Sequence, residues 1–183
     1  HERYVDDFFI KKSEVTFGDY LKYWRSLPRS GDERKRDMSR VRLDASERIF
    51  HDAWTPDGTL LPPWKPELPV VGITREAAAR YCQWLGRQTD TKCRLPTVAE
   101  WEKAARGVDG RSFVWGDTDR GENVRLIAAE TLKKDQVAFS ESGKAPADCS
   151  VYGALDMAAN VREWTGSLFP EGRRLYVIKG GSA

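Results

Sequence analysis

Apolar side chains recur at helical spacing in three stretches of this chain and lose that period elsewhere. Phe17, Tyr20, Leu21, Trp24 and Leu27 form the first stripe, with Thr16 where an N-cap belongs and Pro28 as the stop. A second helix is predicted after the cap residue Thr74. It places Ala77, Ala78, Tyr81, Cys82 and Leu85 inward, and Gly86 reads as its C-terminal stop. The third opens on a capping box, Thr97-Val-Ala-Glu100, in which each polar side chain can satisfy one orphan backbone N–H. This helix buries Val98, Trp101, Ala104 and Ala105 and ends at Gly107. Residues 5–12, residues 69–73 and the pair Val177-Ile178 read as short strands.

Between these elements the chain is punctuated rather than periodic. Residues 29–48 mix Arg, Lys, Asp and Glu and read as a charged insertion with a solvated face. Thr55-Pro-Asp-Gly58 is a turn, and Pro62, Pro63, Pro66 and Pro69 mark an extended loop. There is no internal repeat. Two or three helices with separated short strands predict a single irregular α+β domain over residues 1–183, not an alternating βαβ fold.

Composition narrows the function classes. The 183 residues can bury a sizeable core, and seven Trp suit a fold held by aromatic packing more than by regular structure. A net charge of +2 argues against nucleic acid or an acidic membrane surface as partner. No apolar run approaches the roughly 20 residues of a membrane span. The chain begins with His rather than Met, which reads as a fragment boundary. The three cysteines, Cys82, Cys93 and Cys149, form no C-x-x-C pair, so a zinc site is not expected. Cys82 lies on an apolar helix face as a buried thiol, and Cys93 with Cys149 could form a disulfide in an oxidising compartment.

Nucleophile–base machinery is scarce, because the only histidines are His1 and His51. The carboxylates carry more signal. Asp156-Met-Ala-Ala-Asn-Val-Arg-Glu-Trp164 has an acid near each end, no regular period and free carbonyls between. Calcium takes six to eight oxygens and accepts such mixed ligation. The plainer alternative is that Asp156 caps a turn and Glu163 pairs with an Arg. Trp54, Trp64, Trp115 and Trp164 are the aromatics to examine if the fold has a groove, although core positions suit them as well.

Several stretches resemble the formylglycine-generating enzyme family, also called the sulfatase-modifying factor domain. They are Glu14-Val-Thr16, Pro69-Val-Val-Gly-Ile73, Tyr81-Cys-Gln-Trp-Leu-Gly86, Arg94-Leu-Pro-Thr-Val-Ala-Glu-Trp-Glu-Lys-Ala-Ala-Arg-Gly107, Trp115-Gly116, Tyr152-Gly153, Asp156 to Trp164, and Gly180-Gly-Ser182. They fall in the family's order along almost the whole chain. The resemblance implies an irregular α+β fold related to C-type lectins. It also implies a structural calcium held by the acids Asp156 and Glu163 and the carbonyls of Ala159 and Val161. A second calcium site would begin at Asn123 and Val124, but its acidic ligand, expected shortly before Gly143, is not evident.

The oxidase members of the family carry a copper(I)-binding cysteine pair shortly after the Gly-Gly-Ser motif, and copper is not expected here. The sequence stops at Ala183, where the family usually has an aromatic, and none of Cys82, Cys93 or Cys149 matches those positions. Arg162 replaces a common Trp, and Ala159 a common Gly. The Val151-Tyr-Gly153 and Asn160-Val-Arg-Glu-Trp164 variants look closer to versions attached to bacterial Ser/Thr kinases and other signalling proteins. The resemblance therefore implies a non-catalytic module that binds a protein or small-molecule ligand. Such a module would be linked to a kinase or be a retroelement-diversified variable protein, with a bacterial cytoplasmic setting favoured and an extracellular or periplasmic one as the alternative. The alternative is a copper-dependent formylglycine-generating oxidase acting on sulfatase cysteines, cut before its cysteine pair. No catalytic residue is assigned.

Overall fold

The computed structural model describes residues 4–41, 50–117, 140–146, 148–169 and 175–181. The chain divides into two compact units. The described residues of one, the acidic unit, lie within 1–14, 95–127 and 143–183; those of the other, the aromatic unit, lie within 15–94 and 128–142.

The aromatic unit contains α1 (Phe17–Ser26), α2 (Asp32–Arg36), β1 (Arg40–Val41), β2 (His51–Asp52) and α3 (Arg75–Thr89). Thr16 caps α1 by accepting from the Asp19 N–H at 3.1 Å, and Thr74 caps α3 by accepting from the Ala77 N–H at 3.1 Å. Phe17, Tyr20, Tyr23, Trp24, Trp54, Trp64 and Tyr81 fill its core. Their rings meet mostly edge-on or tilted, as for Trp24 and Trp54 at 5.5 Å and 70°. Such geometry adds about 0.5–1.5 kcal/mol per pair beyond the buried area. Trp54 and Trp64 thus belong to the core rather than to a groove.

The charged segment 29–48 departs from the solvated reading. Its described part folds inward, and Arg34, Asp37, Ser39 and Val41 are buried. Arg34 lies 4.0 Å above the Trp24 ring centroid, and its carbonyl accepts from Trp24 Nε1 at 2.8 Å. Asp37 has no exposed surface. Its carboxylate accepts from Arg80 Nε at 2.9 Å, from Arg80 Nη2 and from the Tyr23 hydroxyl. A buried carboxylate with this partnership costs far less than an unpaired one.

Helix α3 runs past Gly86 to Thr89, and Asp90 takes the left-handed conformation expected of the stop (φ 51°). Gly86 is needed for space instead. A Cβ there would lie 2.6 Å from the Thr91 carbonyl oxygen. Residues 69–73 do not form a strand. Val70 N–H donates to the Val15 carbonyl at 2.8 Å, and Thr16 and Pro69 form one isolated bridge.

The acidic unit contains α4 (Val98–Arg106), β3 (Glu163–Leu168) and β4 (Tyr176–Lys179). Both halves of the capping box at α4 are formed: Thr97 Oγ1 accepts from the Glu100 N–H at 3.2 Å and Glu100 accepts from the Thr97 N–H at 2.7 Å. Strands β3 and β4 pair antiparallel, with Glu163 opposite Lys179, Trp164 opposite Ile178 and Leu168 opposite Tyr176, and the register is irregular between Trp164 and Leu168. The strand expected over residues 5–12 is absent. This stretch runs as irregular chain that places Phe8 and Ile10 on the core of Trp101, Ala104, Ala105, Val114, Ala154 and Met157. Its backbone finds partners distant in sequence: the Lys12 carbonyl accepts from Leu155 N–H at 2.7 Å and the Val5 carbonyl from Lys103 Nζ at 2.9 Å.

Candidate functional site

The loop between Asp156 and Glu163 is built around buried carboxylates. It has no ladder to satisfy its backbone, so side chains do that work. Asp148 is the anchor. It is 1% exposed and accepts from the Ala158 N–H at 3.0 and 2.9 Å and from the Ala159 N–H at 2.9 Å. Asp156 and Asn160 adopt positive φ, 60° and 70°, which Asp and Asn tolerate better than most side chains. The Asp156 N–H donates to the Asp148 carbonyl at 2.9 Å, and its carboxylate accepts from the Gly143 N–H. Asn160 Nδ2 donates to Glu14 Oε1 at 2.9 Å, which ties the loop to the N-terminal stretch of the same unit.

Glu163 begins β3 and accepts from Trp101 Nε1 on α4. Sequence reasoning offered an Arg partner for this acid; the partner found here is the indole N–H. Burial is the main cause that raises the Glu163 carboxyl to about 7; the Trp101 hydrogen bond opposes the rise, and the Asp156 and Asp148 charges add to it. Burial likewise raises Glu14 to about 8, with Asp156 and Glu163 adding to the rise and the Asn160 amide opposing it. Asp148 is raised by burial, and its backbone donors pull the other way. The second oxygen of Glu14, Oε2, is buried without a hydrogen-bond partner. Like-charged carboxylates held together away from water must take up protons or a cation.

Gly180-Gly181 closes the back of this loop. A Cβ on Gly181 would stand 2.3 Å from the Ala158 carbonyl oxygen, and one on Gly180 2.9 Å from the Val161 carbonyl oxygen. Only glycine lets the strand end lie flat against these carbonyls. The Lys179 ammonium lies 5.5 Å from the Trp101 ring centroid and pairs with Glu102.

Of the residues expected to hold calcium, Asp156, Ala159, Val161 and Glu163 therefore fall on one loop of one unit, and all but Glu163 are buried as whole residues. Asn123 and Val124 lie outside the described residues. Among the described residues, no three His, Cys, Asp or Glu side chains are arranged as a metal-binding group. A cation here would depend on backbone carbonyls to complete its shell. An oxygen-only donor set with an orphaned buried carboxylate oxygen fits calcium and no soft metal. Sequence reasoning missed Asp148 altogether and quoted Glu14 only as part of a motif. Neither sits in a period or spacing pattern that would mark it, although Asp148 precedes the turn at Tyr152-Gly153.

Two loops near the end of α4 carry exposed apolar groups. Val108, Phe113, Val151 and Tyr152 are exposed, and Phe113 stacks on Trp115 at 5.4 Å and 3°. Arg111 pairs with Asp109, Nε to Oδ1 at 2.9 Å.

Short helices, two-stranded pairings and long braced loops make this an α+β domain of low regular content. The same fold is seen in the structure of PvdO from Pseudomonas aeruginosa, with a TM-score of 0.63 at 20% identity over 93% of this chain and 66% of that one. CarF is similar, with a TM-score of 0.56 at 20% identity over 93% and 73%. The chain belongs to the sulfatase-modifying factor enzyme 1-like domain family, whose pattern it matches over residues 1–183.

Named relatives differ in what they are. The chain is 36% identical to an inactive C-alpha-formylglycine-generating enzyme 2 of Mus musculus over 64% of this chain and 38% of that protein. It is 30% identical to the serine/threonine-protein kinase pkn1 of Chlamydia caviae over 90% of this chain and 23% of that protein. It is 37% identical to a formylglycine-generating enzyme of Mycobacterium tuberculosis over 55% and 34%. The chain thus spans well under half the length of these curated relatives. Among the described residues, no helix is long and apolar enough to cross a membrane.

Proposed function

We propose that this chain is a non-catalytic binding module on the sulfatase-modifying factor scaffold, taking a protein or small-molecule ligand in a regulatory setting. The observation that carries this reading is the division of labour within the acidic unit. Its carboxylates turn inward onto backbone amides and an indole, while Val108, Phe113, Val151 and Tyr152 stand exposed on two loops. Inward acids shape loops; exposed apolar side chains on braced loops suit recognition. Similarity to an inactive relative and to kinases, the latter over 90% of this chain, supports the same reading. Association with a kinase domain is the form the Chlamydia relatives favour.

The structural role of the acids extends to a bound calcium. Asp156, Glu163 and the carbonyls of Ala159 and Val161 are its proposed ligands, and Glu14, with its orphaned oxygen, is positioned to support them. The cation would replace the protons that Glu14 and Glu163 otherwise retain.

The alternative is a copper-dependent formylglycine-generating oxidase, favoured by the similarity to enzymes of that name. The test is incubation of the protein with copper(I), dioxygen, a reductant and a Cys-x-Pro-x-Arg peptide, read by mass spectrometry. The binding-module reading predicts no conversion of the peptide cysteine. Stoichiometric copper(I) capture with turnover would reject it.

A further inference from the structure

The aromatic unit brings two thiols together that the sequence did not pair. After α3 the chain folds back on the helix. The Thr91 N–H donates to the Gly86 carbonyl at 2.9 Å. A Cβ built on Gly86 would lie 3.2 Å from the Cys93 nitrogen and 3.4 Å from the Cys93 Cβ, so Cys93 rests on the helix turn at Gly86. Cys82 is four residues earlier on α3, which is one turn away on the same face. Cys93 is near enough to act on the Cys82 thiol, adding to the rise in its proton affinity that burial causes. Both are half-buried free thiols. Cys149, the partner suggested for Cys93 by sequence alone, belongs to the acidic unit and directs its Sγ at the Ser150 carbonyl at 3.5 Å.

We infer that Cys82 and Cys93 are a disulfide-forming pair, closed by a low-molecular-weight disulfide and reopened by a thiol. The bond would clamp the segment after α3 onto the helix turn that carries Gly86. This site lies in the aromatic unit and does not rest on the calcium or ligand reading.

The order of events follows from the two environments. Burial pushes the Cys82 thiol up to about 12, and the adjacent Cys93 adds to the rise. Cys82 therefore keeps its proton near neutral pH, and Cys93 is the sulfur that attacks first. Cys93 gives its proton to solvent and attacks one sulfur of the oxidant, releasing the first thiolate. Cys82 then gives up its proton to that basic leaving thiolate and attacks the Cys93 sulfur in the mixed disulfide. The second thiolate departs. Two protein thiols are oxidised, and one disulfide is reduced to two thiols.

The experiment is to incubate the folded protein with oxidised glutathione, block remaining thiols with iodoacetamide, and map linked peptides by mass spectrometry. Of three cysteines, only Cys149 should then be alkylated. The mass before blocking should fall by two hydrogens, and a peptide linking Cys82 to Cys93 should appear. The melting temperature should rise by a few degrees and return on adding dithiothreitol, because the cross-link restricts the unfolded chain. Cys149→Ser should keep this response, and Cys93→Ser should lose it. Three alkylated thiols, a persistent glutathione adduct on Cys93, or a link through Cys149 would each overturn the inference. Peptide mapping on the unaltered chain decides the matter even if Cys93→Ser folds poorly.

Discussion

The two units bury charge in opposite ways. In the aromatic unit, Asp37 is sealed among tyrosines and matched by Arg80, so the charge is balanced where it lies. In the acidic unit, Glu14, Asp148, Asp156 and Glu163 are satisfied largely by neutral donors, and burial together with neighbouring carboxylates raises the proton affinity of Glu14, Asp148 and Glu163. Balanced burial makes a self-sufficient core. Unbalanced burial makes a site whose stability depends on what solution supplies.

The largest expected effect strikes the balanced pair. Asp37→Ala leaves Arg80 and Tyr23 without their acceptor and should destabilise the protein by about 3 kcal/mol in urea unfolding. That value is at the low end for a buried pair because the Arg80 side chain keeps 30% of its surface. A loss under about 1 kcal/mol would mean that Asp37 is not the organising charge of that core.

The loop of the acidic unit should be more sensitive to shape than to charge. Gly181→Ala drives a methyl group into the Ala158 carbonyl and should cost about 1–3 kcal/mol, measured the same way. An unchanged midpoint would show that the strand end does not lie flat on the loop.

A smaller effect tests the imbalance through pH. Glu14 and Glu163 have raised proton affinities in the folded state, so the folded protein binds more protons than the unfolded one between the ordinary value of 4.5 and about 7 to 8. Their stabilising contribution is full below about 4.5 and is lost as pH rises through about 7 and then 8. In chelator, unfolding free energy should therefore fall across that window, and Glu14→Gln should flatten the slope. A slope of the opposite sign would contradict the burial of these acids.

The helices were legible because their signals are local. Thr16, Thr74 and Thr97 each cap the helix that their spacing announced, and the capping box at Glu100 is complete. Gly86 misled because its meaning is tertiary: it makes room for Thr91 and Cys93 and does not end α3. The charged stretch misled for a similar reason. Arg34 and Asp37 look solvated until Trp24, Tyr23 and Arg80, distant in sequence, are seen to receive them. At the acidic site, Asp156 and Glu163 could be read from the motif. Asp148 and Glu14 could not, since they join the loop only through hydrogen bonds spanning 10 or more residues, up to 146 for Glu14 and Asn160.

The central claim is that the unbalanced carboxylates of the acidic unit are completed by calcium. The direct measurement is the melting temperature of chelator-stripped protein at pH 7, with and without added calcium. At a hundredfold excess over its dissociation constant, a single ion bound only to the folded state stabilises by about 2.7 kcal/mol, which for a chain of this size is a rise of roughly 5–10 °C. The account predicts that rise, and predicts that Glu163→Ala abolishes it. Superimposable melting curves with and without calcium would contradict it.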